Sequence, residues 1–231
     1  MKNVRQQQKI HSAASVLGTA FAVALAAVCS TARADAPAEL PFVNAATAYS
    51  QAAKIDRAID PQVFVHDSAA TQGTGPERIE HLAGLRTARL DDDPETATYA
   101  ADGSSLSLSL GHWLEARGTL SVTTEPDGHV RVATVFKHLV AFGEYSLFLA
   151  TDHLTDGTGV TTYRPLDGEG TANSFVAHVD GSAAILIDTS AALTDADSVV
   201  LVYHSDGREH GTSRGQIGLT AHEQLAVRLT P

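Results

Sequence analysis

Cysteine is nearly missing from this 231-residue chain, and Cys29 is its only example. That residue falls inside an N-terminal segment with the marks of a removable leader. No disulfide can therefore hold the remaining chain, and the fold must rely on its apolar core. Basic residues are also scarce, 16 Lys and Arg against 27 Asp and Glu. No basic stripe interleaved with aromatics occurs, which argues against nucleic acid and anionic membrane surfaces as partners. There is no phosphate-cradling glycine loop, no C-x-x-C and no H-E-x-x-H. No His-x-His places two imidazoles on one face of a strand, and cupredoxin-type copper is excluded once Cys29 is gone.

What stands at the N-terminus is a three-part pattern. Lys2, Arg5 and Lys9 form a positive head, "SAASVLGTAFAVALAAVCS" is apolar and uncharged, and Ala32-Arg33-Ala34 supplies an A-x-A cleavage site. The pattern predicts a secretory signal over residues 1–34, cut before Asp35, and an exported protein of the periplasm or extracellular space. Small alanines and the immediate cleavage site argue against a retained anchor. Ala-Ala-Val before Cys29 is no leucine-led lipobox. Removing 34 of 231 residues leaves 197, enough for one sizeable domain that buries roughly 70% of its unfolded surface. Lys2, Arg5, Lys9 and Arg33 leave with the signal, so 12 basic residues face 27 acidic ones at a net −15. That balance favours solubility or cationic partners.

Beyond the leader the chain changes texture. Residues 35–95 read as an N-terminal extension with short helices. Ala45, Ala48, Tyr49, Ala52, Ile55 and Ile59 recur at helical spacing, with Asn44 as a cap and Pro61 past the end. "GPERIEHLAGL" starts like a helix at Pro76 but Gly84 interrupts it. The charged connector "LDDDPET" marks the boundary. From 96 to 231 the period becomes two: Val130, Val132, Thr134 and Phe136 share one strand face, as do Tyr145, Leu147 and Leu149. "EPDG" carries turn chemistry, and Asp180-Gly181 between "SFVAHV" and "SAAILI" reads as a hairpin. Some eight or nine short strands with such turns predict a mainly β domain, an antiparallel β-sandwich.

The succession "LGHWLEARG", "EYSLF", "NSFVAHVDGSA" and "VVLVYHSDGREHG" resembles a group of exported bacterial β-sandwich proteins with a late YHSDGxxHG-like segment. The resemblance covers about residues 97–230. It implies export and a β-fold, and it carries over no catalytic residue.

Ten histidines remain after the leader, from His66 to His222. His204 ends a strand, His210 follows beyond a turn, and His222 starts the last strand. If "SDGREHGTSRGQIG" folds back, these three and Asp206 form a candidate site for type-2 copper or zinc. The competing reading makes Ser205-Asp206-Gly207 an Asx-type turn that the histidines decorate. His178 is expected on the face of Val176 and Ile185 as a packing residue, and Trp113 as a core anchor. Gly211-Thr-Ser-Arg-Gly215 fits G-x-S-x-G, but no strand precedes Ser213 and no aspartate follows it, so it is no nucleophile elbow. The loops "TDGTG" and "LDGEGTAN" offer oxygens to calcium without the EF-hand spacing, which disfavours that ion. No acid, base and nucleophile set stands out. The sequence therefore favours a binding or interaction module for a protein or small ligand, with no membrane segment once the signal is cut. The alternatives are a histidine-based copper or zinc metalloprotein of the periplasm and a hydrolase using carboxylates.

Overall fold

Runs such as "SVVLV" are too short for helices and rich in β-branched residues, so they bury best between other strands. The computed structural model describes residues 38–152 and 161–229. The leader expected over 1–34 and the "TDGTG" loop lie outside the described residues. Sixteen strands form among the described residues: ten from residue 96 onward, slightly more than the eight or nine expected there, and six before it, where strands of two and three residues leave no period to read. All their pairings in the sheets are antiparallel. No described helix is long and apolar enough to cross a membrane.

One sheet has the order β1 (Glu39–Pro41), β9 (Arg117–Thr124), β10 (Val130–Lys137), β14 (Ala183–Thr189). A six-stranded sheet runs β12 (Thr161–Pro165), β11 (Glu144–Asp152), β15 (Asp197–His204), β16 (Ala221–Arg228), β2 (Val43–Asn44), with β13 (Ser174–Val176) also on β11. A third joins β6 (Leu85–Arg89), β3 (Ile59–His66), β7 (Ala97–Tyr99) and β8 (Ser105–Ser109), while β4 (Gly73–Thr74) pairs with β5 (Glu80–His81). The stretch 35–95, expected as a helical extension, thus supplies six strands, four of which (β1, β2, β3 and β6) share sheets with strands from 96 onward. Residues Ala36–Pro231 form one compact unit.

Local chemistry explains the elements. The side chain of Asn44 accepts the amide of Ala46 at 3.0 Å and starts α1 (Ala45–Ala52). The helix stops short of Ile55. Ser50 Oγ exchanges hydrogen bonds with both the amide and the carbonyl of Ile59, at 3.0 and 3.1 Å, and turns the chain into β3. Ile59 and Pro61, expected in and after the helix, are therefore strand residues. Pro61 is tolerated because the ladder to β6 is interrupted between Ile59 and Phe64, where no strand amide is demanded. The segment after Pro76 makes only a 3-10 turn over Pro76–Arg78. A second short helix, α2 (Leu110–Glu115), is capped by Ser109.

"EPDG" closes the β9–β10 hairpin as expected, with Gly128 at φ 88° and its amide on Glu125 O at 2.9 Å. The Asp180-Gly181 turn also forms, but its flanks are not a hairpin. β13 pairs with β11 and β14 with β10, so the chain passes from one sheet to the other. The cause is Leu139, whose amide donates to Gly181 O at 2.9 Å and pulls the turn against the β10 end. His178 is consequently exposed, not on an apolar face.

Inner faces of the first two sheets bury the largest core. Leu120, Phe136 and Ile187 meet Tyr145, Leu147, Leu149, Leu201 and Leu225 there. Strand β11 is also buried on its other side, where Phe148 and Ala150 meet Val200, Val202 and Ala221. Trp113 is fully buried, and its Nε1 donates to Asp60 Oδ2 at 2.8 Å. Burying such side chains contributes about 1.5–3 kcal/mol each. Trp113→Phe keeps most of this apolar contact but strips the bond from a buried carboxylate. Urea unfolding is expected to show a loss of about 2–3 kcal/mol; an unchanged midpoint would mean that the bond contributes nothing.

Candidate functional site

Parity decides the fate of the four residues expected to bind metal. His204 lies at the end of β15, on the face shared with Val202, and contacts Ser146 Oγ through Nε2 at 2.6 Å. Without irregularity, the Leu201↔Leu225 pairing would continue until His222 faced His204. A bulge at Gln224 intervenes, so His222 is paired with Tyr203 and His204 with Ala221. One residue of slip sends a side chain to the opposite face. His222 therefore belongs to the main core. Its Nδ1 donates to the Gln62 carbonyl at 3.0 Å, and its ring stands edge-on to Trp113 at 6.3 Å.

The other three do meet. The carboxylate of Asp206 lies 3.2 Å from His210 Nε2, and the His210 ring packs 4.8 Å from that of His204. The turn is present as well: Gly207 N donates to His204 O at 3.1 Å and Arg208 N to Asp206 Oδ1 at 3.3 Å. His204 is buried and its Nδ1 has no hydrogen-bond partner. Burial first, then His210, pushes its pKa down to about 4, against the pull of Asp206. Among the described residues, no three His, Cys, Asp or Glu side chains are arranged to hold a metal ion.

The loop "LDGEGTAN" has spent its aspartate. Asp167 accepts the amides of Gly170, Thr171 and Ala172, each at 2.8 Å, in a closed ring of donors. Burial raises its pKa, but these backbone bonds outweigh burial and hold the carboxyl below its usual range. In the G-x-S-x-G stretch, Ser213 Oγ accepts the amide of Gly215 at 3.1 Å, a turn bond with no histidine behind it.

A different polar group forms a cleft that no sequence motif announces. Asp60 Oδ1 accepts the amides of Gln62 and Val63 at 2.9 and 3.1 Å, filling the gap in the β3 ladder. Gln62 then points at β16, where its Oε1 accepts Glu223 N at 2.7 Å. Its Nε2 donates to Glu77 Oε2 at 2.8 Å. Glu223 forms an ion pair with Arg214, whose guanidinium carbon sits 3.1 Å above the centre of the Tyr163 ring. Glu77, Tyr163 and Arg214, with Ile79, Ile217 and Leu219, line a cleft of about 700 Å³. A polar Asp60 and Gln62 inside an otherwise apolar strand were the available signal.

Charges of both signs line the cleft, Glu77 and Glu80 with Arg78 and Arg214. Glu77 lies on an exposed turn, yet its carboxyl reaches inward, and burial there followed by the charge of Glu223 raises its pKa to about 7. Burial also raises Glu223, against the opposing pull of Arg214, and burial with Glu223 raises Tyr163. Among the described residues Glu77 has no ion-pair partner. No protein-family model, no curated protein and no solved structure matches this chain.

Buried histidines make stability depend on pH. His204 and His222 each fall from 6.5 to about 4, mainly through burial. The unfolded chain takes these protons below pH 6.5 while the native chain resists them until about 4. Acid therefore favours unfolding across that window. Asp60, raised by burial to about 6, and Glu77 act with the opposite sign, so the test is a difference. His222→Gln is expected to lose less stability than the parent between pH 7 and pH 5, by on the order of 2 kcal/mol in urea unfolding. Equal losses would contradict the assignment.

Proposed function

We propose that this chain is an exported antiparallel β-sandwich protein acting as a binding module, with a small ligand held in the Glu77–Arg214 cleft. The two sheets with a shared apolar core support the sandwich. The leader pattern and the resemblance to exported β-sandwich proteins support export. One observation carries the binding reading: a cleft of about 700 Å³ lined by both polar and aliphatic side chains. Ligand sites combine an apolar surface with a few convergent polar groups, at roughly 300–1,000 Å³. A thermal-shift screen of small polar metabolites is expected to find compounds that stabilise the parent. Leu219→Trp, which fills the cleft, is expected to abolish their effect. A screen with no stabilising compound, or one in which the filled variant responds equally, would count against the module.

One observation favours a second reading, a copper or zinc protein. The buried Nδ1 of His204 lacks a partner, with His210 and Asp206 beside it. His222 has no part in that group. The discriminating measurement is the metal content of protein purified without an affinity tag, beside His210→Ala. For the binding module we expect no stoichiometric metal and an unchanged melting temperature with copper or zinc. Stoichiometric metal that disappears in His210→Ala would establish the metalloprotein instead.

A further inference from the structure

We propose that the cleft takes a neutral polyhydroxyl ligand, one or two sugar units, between the Pro76–Arg78 turn and the wall formed by Arg214 on Tyr163. This inference rests on the binding reading above and names the ligand class.

The wall is fixed and electrically satisfied. Arg214 lies flat on Tyr163 and is paired with Glu223, so its charge is already answered. The remaining charged groups that line the cleft are of both signs, Glu77 and Glu80 beside Arg78. An anionic ligand would meet the glutamates, and a cationic one would meet the arginines. Hydroxyl groups both donate and accept, and a lining of mixed donors and acceptors suits them. Ile79, Ile217 and Leu219 offer an aliphatic floor to the C–H face of a sugar ring.

The rim turn supplies an independent observation. Glu77 and Arg78 are consecutive non-glycine residues at φ 54° and 60°, in the left-handed region. Such backbone strain persists where the surrounding structure enforces it and clusters at ligand sites. Here it turns the Glu77 carboxyl inward onto Gln62. That carboxyl accepts from Gln62 Nε2 at 2.8 Å, and burial with the nearby Glu223 raises its pKa to about 7.

The test is isothermal titration of the full chain with glucose, galactose, maltose and cellobiose, beside spermidine, glutamate and inorganic phosphate. At least one sugar is expected to bind the parent. Glu77→Ala should weaken that sugar about tenfold or more, the loss of one strong ligand hydrogen bond. Glu77→Gln, which still donates and accepts, should stay within about threefold of the parent. Melting curves of both variants establish that they fold, as substitution on an exposed turn leads us to expect. Sugar binding that survives Glu77→Ala would overturn the site. Binding confined to the charged probes would overturn the ligand class and leave the binding module standing, and sugar binding lost in Glu77→Gln would overturn the role given to Glu77. No sugar binding would also overturn this inference, and the broader metabolite screen would then judge the module separately.

Discussion

The buried carboxylate of Asp60 is the constraint on which the arrangement depends. It gathers two backbone amides of its own strand and the indole N–H of Trp113. A buried acceptor left without these donors would be costly, so the three groups fix one another. By occupying the amides of Gln62 and Val63, it opens the β3 ladder at Pro61. The Gln62 side chain is then free to reach β16 and the Pro76–Arg78 turn. The core position of Trp113 and the rim position of Glu77 are two ends of one hydrogen-bonded line.

Much of the β character was legible because alternation survives wherever only one face is buried. β10 shows this, with Val132, Thr134 and Phe136 inward and Lys137 outward. The EPDG turn and the Asn44 cap were readable because their chemistry is local, and the burial of Trp113 because a large apolar ring is the natural core anchor even though its partner Asp60 lies far along the chain. The short strands of the first third were not, since two or three residues define no period. The Asp180-Gly181 turn misled because a turn fixes its own backbone but not the destinations of its flanks, which Leu139 decided.

The candidate sites divide in the same way. His204, Asp206 and His210 lie within seven residues, and a turn brings such neighbours together. His222 depended on register over a whole strand, and a single bulge at Gln224 reversed its face. The cleft draws Glu77, Tyr163 and Arg214 from separate segments, with Gln62 and Glu223 bonded behind them, so no spacing rule could assemble it. The two groups also differ in access. His204 is enclosed, with Ser146 against one ring nitrogen, whereas the Glu77 turn faces solvent.

The pairing of β2 with β16 has a consequence for how the chain is made. Val43 and Asn44 hydrogen-bond across a span of about 180 residues to Ala226 and Leu225. Contacts so distant along the chain form late and slow the search for the native state. A nascent chain released from the ribosome residue by residue cannot complete the six-stranded sheet until β16 emerges. Until then β15 keeps one edge open, and β2 has no strand to pair with.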